Sequence, residues 1–253
     1  MQTEDARVEF LQLNAIYPVL GSFENPCSRV TDAGKSGPIR HTEVNHVRFI
    51  GDVHGKFEQY ESLIKGVDES IQVGDMGLGF SAPTPNGIRA FPDPPYDVMK
   101  REGNHRFIRG NHDDPAACRS QCLCIADGHS EGDMFFCGGA LSVNLKGRTE
   151  GLNWWPDEEL SDPDFASIRE KYLDEKPAIM VTHDCPHEVA QAVLLQHQID
   201  KAVVISRTRQ AFQGMWERYK PDTWVFGHWH LSMDKVISGT RFICLAELEP
   251  RDL

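Results

Sequence analysis

An α/β or mixed α/β sandwich is the fold this sequence predicts, on three observations. Short runs rich in β-branched and aromatic residues recur along the chain from Val47 onward. Stretches with helix-like spacing of apolar residues lie between several of them. The runs are closed again and again by turns rich in Gly, Asp and His.

The strand candidates are Val47–Ile50, Ile71–Val73, Arg106–Ile108, Met134–Cys137, Ala178–Val181, Trp224–Phe226 and Arg241–Cys244. Helices are expected over Lys56–Lys65, Pro115–Ser120, Asp164–Lys176, Glu188–Ile199 and Arg207–Tyr219. Asp162-Pro163 and Pro186 stand where capping and first-turn chemistry place such residues. Ser81–Tyr96 carries Pro83, Pro85, Pro92, Pro94 and Pro95, so it is expected to be an irregular loop, either the rim of a site or an insertion. Residues 1–46 are expected to form an extension packed on the main domain, 47–253, through apolar residues such as Phe10, Leu13 and Ile16. Gly34-Lys35-Ser36 is no phosphate loop, because Arg29 stands where that pattern needs glycine.

Composition narrows the function classes. At 253 residues and 40% hydrophobic, the chain can fill a core without staples. Acids outnumber bases 38 to 26, a net charge of −12, which argues against extended nucleic-acid binding. No apolar run approaches a membrane span, and Met1–Asp5 lacks the features of a secretion signal, so a soluble cytoplasmic protein is expected. Seven cysteines, an odd count, suit reduced thiols. Cys118, Cys122 and Cys124 lack zinc-module spacing and read as free thiols.

The chemistry lies in the turns just past the strands: Gly51-Asp52-Val53-His54-Gly55, Gly74-Asp75, Gly110-Asn111-His112-Asp113, Thr182-His183-Asp184 and Gly227-His228-Trp229-His230. Ligands of α/β sheets bind at the carboxyl ends of strands, so these residues can converge although they are far apart in the chain. Carboxylate, imidazole and amide oxygen donors without thiolate suit Mn, Fe, Zn or Mg. The candidates Asp52, His54, Asp75, Asn111, His183, His228 and His230 are too many for one four-coordinate ion and fit two ions sharing a carboxylate. Such pairs sit roughly 3.5–4 Å apart and serve displacement at phosphorus.

In order and wording these motifs resemble the calcineurin-like metallophosphoesterase superfamily, whose pattern is Asp-x-His, Gly-Asp, Gly-Asn-His-Asp/Glu, His and Gly-His-x-His. The resemblance implies a four-layer αββα sandwich, two mixed sheets flanked by helices, and a two-metal hydrolase acting on a phosphate mono- or diester. The cofactor implied is two divalent ions, manganese first, with Fe, Zn, Ni or Mg as alternatives. Carried over, Asp52, His54 and His230 would hold one ion, Asn111, His183 and His228 the other, and Asp75 would bridge. A metal-activated hydroxide would attack phosphorus, with His112 as general acid at the leaving-group side.

The sequence departs from the Ser/Thr protein phosphatase branch at Gly74-Asp75-Met76-Gly77-Leu78-Gly79, where Leu78 and Gly79 replace that branch's Asp and Arg. It is closer to phage and bacterial members, through Gly138-Gly139-Ala140 and Trp154-Trp155-Pro156. Asp113 or Asp114 could then orient His112, and Arg148 is the candidate cation for phosphate. Trp154 and Trp155 read as core or interface aromatics rather than substrate stackers. Protein-phosphatase activity and a non-catalytic interaction scaffold are the alternatives. The scaffold is disfavoured because no ligand position has been lost.

Overall fold

The computed structural model describes residues 46–253 apart from 86, 143–144 and 197–205. The expected extension over residues 1–46, His46 excepted, and the expected helix end at Ile199 lie outside the described residues.

Two mixed sheets are stacked. In the first, β1 (Arg48–Ile50), β2 (Glu69–Gln72) and β5 (Asn104–Phe107) run parallel, and β12 (Pro250–Asp252) pairs antiparallel with β1 at the edge. The second contains β6 (His129–Glu131), β7 (Met134–Cys137), β8 (Ile179–Thr182), β9 (Thr223–Phe226), β10 (Met233–Ile237) and β11 (Thr240–Cys244), in the order β10-β11-β9-β8-β7-β6. Its inner strands β7, β8, β9 and β11 are parallel, while β6 and β10 are antiparallel edges.

The alternation of side chains along each strand builds the layers. Phe49 and Ile71 of the first sheet, with Ile108 just past β5, meet Phe136, Val181, Val225 and Ile243 of the second in the central core. The next residues along, Phe135, Met180, Trp224 and Phe242, face the other way onto α4 (Asp162–Glu175), α5 (His187–Gln196) and α6 (Arg207–Arg218). On the opposite flank, Ile50 and Phe107 pack under α1 (Phe57–Ile64), α2 (Tyr96–Glu102) and α3 (Pro115–Ser120). This is the four-layer αββα sandwich. Burying each such large apolar side chain contributes about 1.5–3 kcal/mol before the entropy of ordering is counted.

Helix starts follow the capping chemistry. Asp114 accepts from Ala116 N–H ahead of Pro115, Ser161 from Asp164 N–H ahead of Pro163, and Ser206 from Arg209 N–H. The elements not foreseen are mostly polar edges. His129-Ser130-Glu131 and the exposed Asp234-Lys235-Val236 carry little apolar pattern, because edge strands are kept charged and half-solvated.

Ser81–Tyr96 is not an irregular loop throughout. β3 (Ser81–Thr84) and β4 (Gly87–Ala90) form an antiparallel hairpin, with Pro83 opposite Ile88. A two-stranded ribbon has two free edges, where a proline lacking its N–H takes no bond from the ladder. Phe80 and Phe91 close the base of the hairpin, with Phe91 N–H donating to Phe80 O at 2.8 Å. Among the described residues no helix is long and apolar enough to cross a membrane. The described cysteines are free thiols: Cys118, Cys137, Cys185 and Cys244 are buried, whereas Cys122 is exposed.

Candidate metal centre

All the strand-end motifs meet at one end of the sandwich. Asp52 and His54 lie past β1, Asp75 past β2, Asn111 and His112 past β5, His183 past β8, and His228 and His230 past β9. Both sheets therefore contribute, and short backbone bonds hold the motifs together. Val53 and His54 N–H both donate to Asp75 O, at 3.0 and 2.8 Å, and Gly227 N–H donates to His183 O at 3.1 Å.

Two groups of donors adjoin. In one, Asp52 Oδ2 lies 3.1 Å from His230 Nε2 and 3.7 Å from His54 Nε2, and the two imidazole nitrogens are 2.9 Å apart. In the other, His183 Nε2 lies 3.2 Å from Asn111 Oδ1, and the His183 and His228 ring centres are 5.1 Å apart. Asp75 stands between: its Oδ1 is 3.2 Å from His183 Nε2 and its Oδ2 is 3.8 Å from His54 Nε2. His183 Nδ1 donates to Val73 O at 2.8 Å, so its Nε2 is the atom turned to the centre.

The backbone here is strained in a way that side chains seldom accept. His54, Asp75, His228 and His230 have φ of 49°, 61°, 67° and 52°, in the left-handed region that disfavours residues with a Cβ. Four candidate ligands share that cost, and the packed sheets beneath hold them to it. The motif glycines serve close approach. A Cβ on Gly110 would collide with Asp75 Oδ1, and one on Gly227 with Asp52 Oδ1.

The electrostatics match a cation site. Burial opposes ionisation of Asp75, but the imidazoles of His183, His112 and His54 around it hold its carboxyl well below the usual range. Against the same burial, Asp75 pushes His183 up to about 10. His228 is driven down by burial and by His183. Asp52 Oδ2, fully buried, receives no hydrogen bond, an orphaned oxygen of the kind a cation satisfies. Two buried carboxylates, four imidazoles and an amide oxygen fit a pair of divalent ions of hard or borderline character.

The remaining predicted residues divide. His112 N–H donates to Asp75 Oδ1 at 2.7 Å, its ring stacks on Phe80 at 4.6 Å between centres, and Arg148 Nη2 lies 2.7 Å from its Nε2. The Arg148 guanidinium also sits 5.3 Å over the Phe80 ring. Asp113 is elsewhere. Its two buried oxygens accept the backbone N–H groups of Asp75, Met76, Gly77, Leu78 and Gly110, at 2.7 to 3.3 Å. The expectation that Asp113 orients His112 is corrected by this: the carboxylate is spent on the turn that carries Asp75. Asp114, the other acid considered, caps α3.

Arg109 is also committed to the scaffold, donating to Asp127 Oδ2 and Glu158 O at 2.7 Å each. Leu78 packs in the core beneath α3, so no carboxylate stands where the protein phosphatases place one. Trp155 is buried, in keeping with a core aromatic. Asp184, part of a strand-end motif but given no role from the sequence, supports the centre. Asp184 accepts from Trp229 Nε1 at 3.1 Å and pairs with Arg209 at 3.4 Å, holding the residue between His228 and His230. Its place directly after His183 was the signal available.

A family profile described as calcineurin-like phosphoesterase matches residues 46–232, most of the chain and every one of these motifs. The chain belongs to that family. A search of curated proteins finds no match. Among solved structures, this phosphoesterase is similar to the phosphopantetheinyl hydrolase of Mycobacterium tuberculosis, at 14% identity and a TM-score of 0.46, covering 80% of this chain and 89% of that one. It is also similar to GAP50, the anchor in the inner membrane complex of Plasmodium, at 10% identity and a TM-score of 0.40, covering 79% and 71%.

Proposed function

We propose that this family member is a dinuclear metal-dependent hydrolase of a phosphate mono- or diester. The observation that supports the reading best is Asp75, a buried ionised carboxylate whose two oxygens face imidazoles of both donor groups. Asp52, His54 and His230 would hold one ion, and Asn111, His183 and His228 the other. Manganese is the first candidate. Bound divalent ions would supply Lewis acidity, neutralising phosphoryl oxygens and lowering the pKa of water.

The chain's own residues do the rest. Arg148, anchored by Nη1 donating to Asn153 O at 3.0 Å, would turn the Nη2 donor it gives His112 to a phosphate oxygen beside the centre. An arriving phosphate takes over the donors that Arg148 gives His112 Nε2 and brings negative charge to the ring, which favours its protonation. His112 then faces the leaving oxygen as the acid, steadied by Phe80. The protein-phosphatase alternative gains nothing from Leu78 and Gly79, and no observation favours a scaffold over an enzyme.

The test is hydrolysis of p-nitrophenyl phosphate and bis-p-nitrophenyl phosphate by the full chain, with added Mn and with chelator. A rate that chelator abolishes and Mn restores is expected on at least one ester. A chelator-insensitive rate, or none on any phosphate ester with two ions bound, would defeat the proposal.

A further inference from the structure

Asn111 can serve a metal only if its amide presents oxygen rather than nitrogen, and nothing within the side chain decides which. The decision lies in a buried chain of hydrogen bonds. Asn111 Nδ2 donates to Ser142 Oγ at 3.1 Å, Ser142 Oγ donates to Glu158 Oε2 at 2.7 Å, and Ser142 N–H donates to Glu158 Oε1 at 2.7 Å. All three residues are buried, at 3%, 5% and 2% exposure, so no solvent competes for these bonds.

The polarity runs one way. Burial pushes the Glu158 carboxyl up, and the Ser142 hydroxyl and N–H that donate to its two oxygens favour the ionised form against it. As a carboxylate it only accepts, so the single hydroxyl proton of Ser142 points to Glu158. The hydroxyl lone pairs then face Asn111 and can receive only its NH2. Oδ1 is left toward His183 Nε2, 3.2 Å away, on the metal side. Without the carboxylate, the Ser142 hydroxyl could donate to Asn111 Oδ1 and turn the amide over. Glu158 is itself fixed, since its carbonyl accepts from the buried Arg109 at 2.7 Å.

We propose that Glu158 and Ser142 are positioning residues that set the orientation of the Asn111 amide and, through it, the affinity of the Asn111 side of the centre for its ion. The inference rests on the metal reading above. It gives Ser142 and Glu158 a task of their own, separate from that of the candidate phosphate cation Arg148.

The experiment is Mn titration of the metal-free full chain by calorimetry, with 15N NMR of the Asn111 side-chain amide in the same samples. In the wild type, two ions bind and the amide protons are protected from exchange. Ser142→Ala and Glu158→Gln should weaken one site 10- to 100-fold, leave the other within about twofold, and expose the amide to exchange. Ser142→Ala removes a single oxygen, so it serves if Glu158→Gln lowers stability. In an Asn111→Ala background, Ser142→Ala should change neither site further, because the residue it acts through is gone.

Unchanged affinity and unchanged amide protection in Ser142→Ala would overturn the relay. So would a full further loss from Ser142→Ala in the Asn111→Ala background, which would mark Ser142 as merely structural. A wild type that takes up no Mn would defeat the metal reading instead, and the amide protection alone would then decide whether the relay orients Asn111.

Discussion

Arg148 and His112 meet end-on, with Nη2 of the guanidinium 2.7 Å from Nε2 of the imidazole. A guanidinium cannot accept, so Nε2 accepts and the ring is neutral. Burial is the main cause and pushes His112 down to about 4, with His54 and Arg148 adding to it against the pull of Asp75. The resting pair thus holds Arg148 in place and leaves His112 to gain its proton when phosphate arrives. Arg148→Ala should cut kcat/KM about 100-fold, roughly 2.7 kcal/mol of transition-state binding, with bound metal unchanged. Arg148→Lys should recover part of it, since it keeps the charge and loses the fork. Steady-state kinetics with metal analysis checks this; full activity in Arg148→Ala would remove the residue from the site.

Asp113 stands next to His112 in the chain yet serves the fold. Five backbone donors converge on its carboxylate. Asp113→Ala would orphan them together, at a cost of about 3 kcal/mol or more. The urea midpoint should fall accordingly with the slope unchanged. A variant as stable as the wild type but without turnover would restore the catalytic reading of Asp113.

Metal uptake should strengthen with pH. In the metal-free chain Asp75 holds His183 up to about 10 against burial, so the ring is protonated at neutral pH. A ligating imidazole must be neutral. Binding therefore expels this proton, and each unit of lower pH should weaken affinity by up to about tenfold across roughly pH 6 to 9. Calorimetry in buffers of different ionisation enthalpy counts the proton released. An affinity flat across that range would exclude His183 as a ligand.

Much of the candidate site was readable because most of its candidate ligands sit in glycine-marked turns at strand ends, where local sequence, backbone geometry and chemistry coincide. Asp52, His54, Asp75, Asn111, His228 and His230 carry that signature, whereas His183 stands past its strand without a glycine. The central strands were legible for a related reason, since Phe49-Ile50 and Val225-Phe226 are apolar on both faces, with a sheet on one side and helices on the other. The features that escaped depend on contacts distant in sequence. Glu158 reaches Asn111 through Ser142 across 47 positions of chain, and Phe80 reaches His112 across 32, with no local pattern to mark either. Asp113 misled because adjacency along the chain does not determine where a carboxylate's oxygens turn. The hairpin over Ser81–Ala90 was hidden by prolines that a free-edged ribbon tolerates.

The central claim is a shared, two-ion centre bridged by Asp75. It is tested most directly by measuring phosphate-ester hydrolysis as Mn is added stepwise to the metal-free protein, for the wild type and Asp75→Asn. The wild-type rate should rise to a plateau at two ions per chain, and Asp75→Asn, which lacks the bridging charge, should bind less metal and lose nearly all turnover. Full activity with one ion per chain, or Asp75→Asn matching the wild type in metal and rate, would contradict the account.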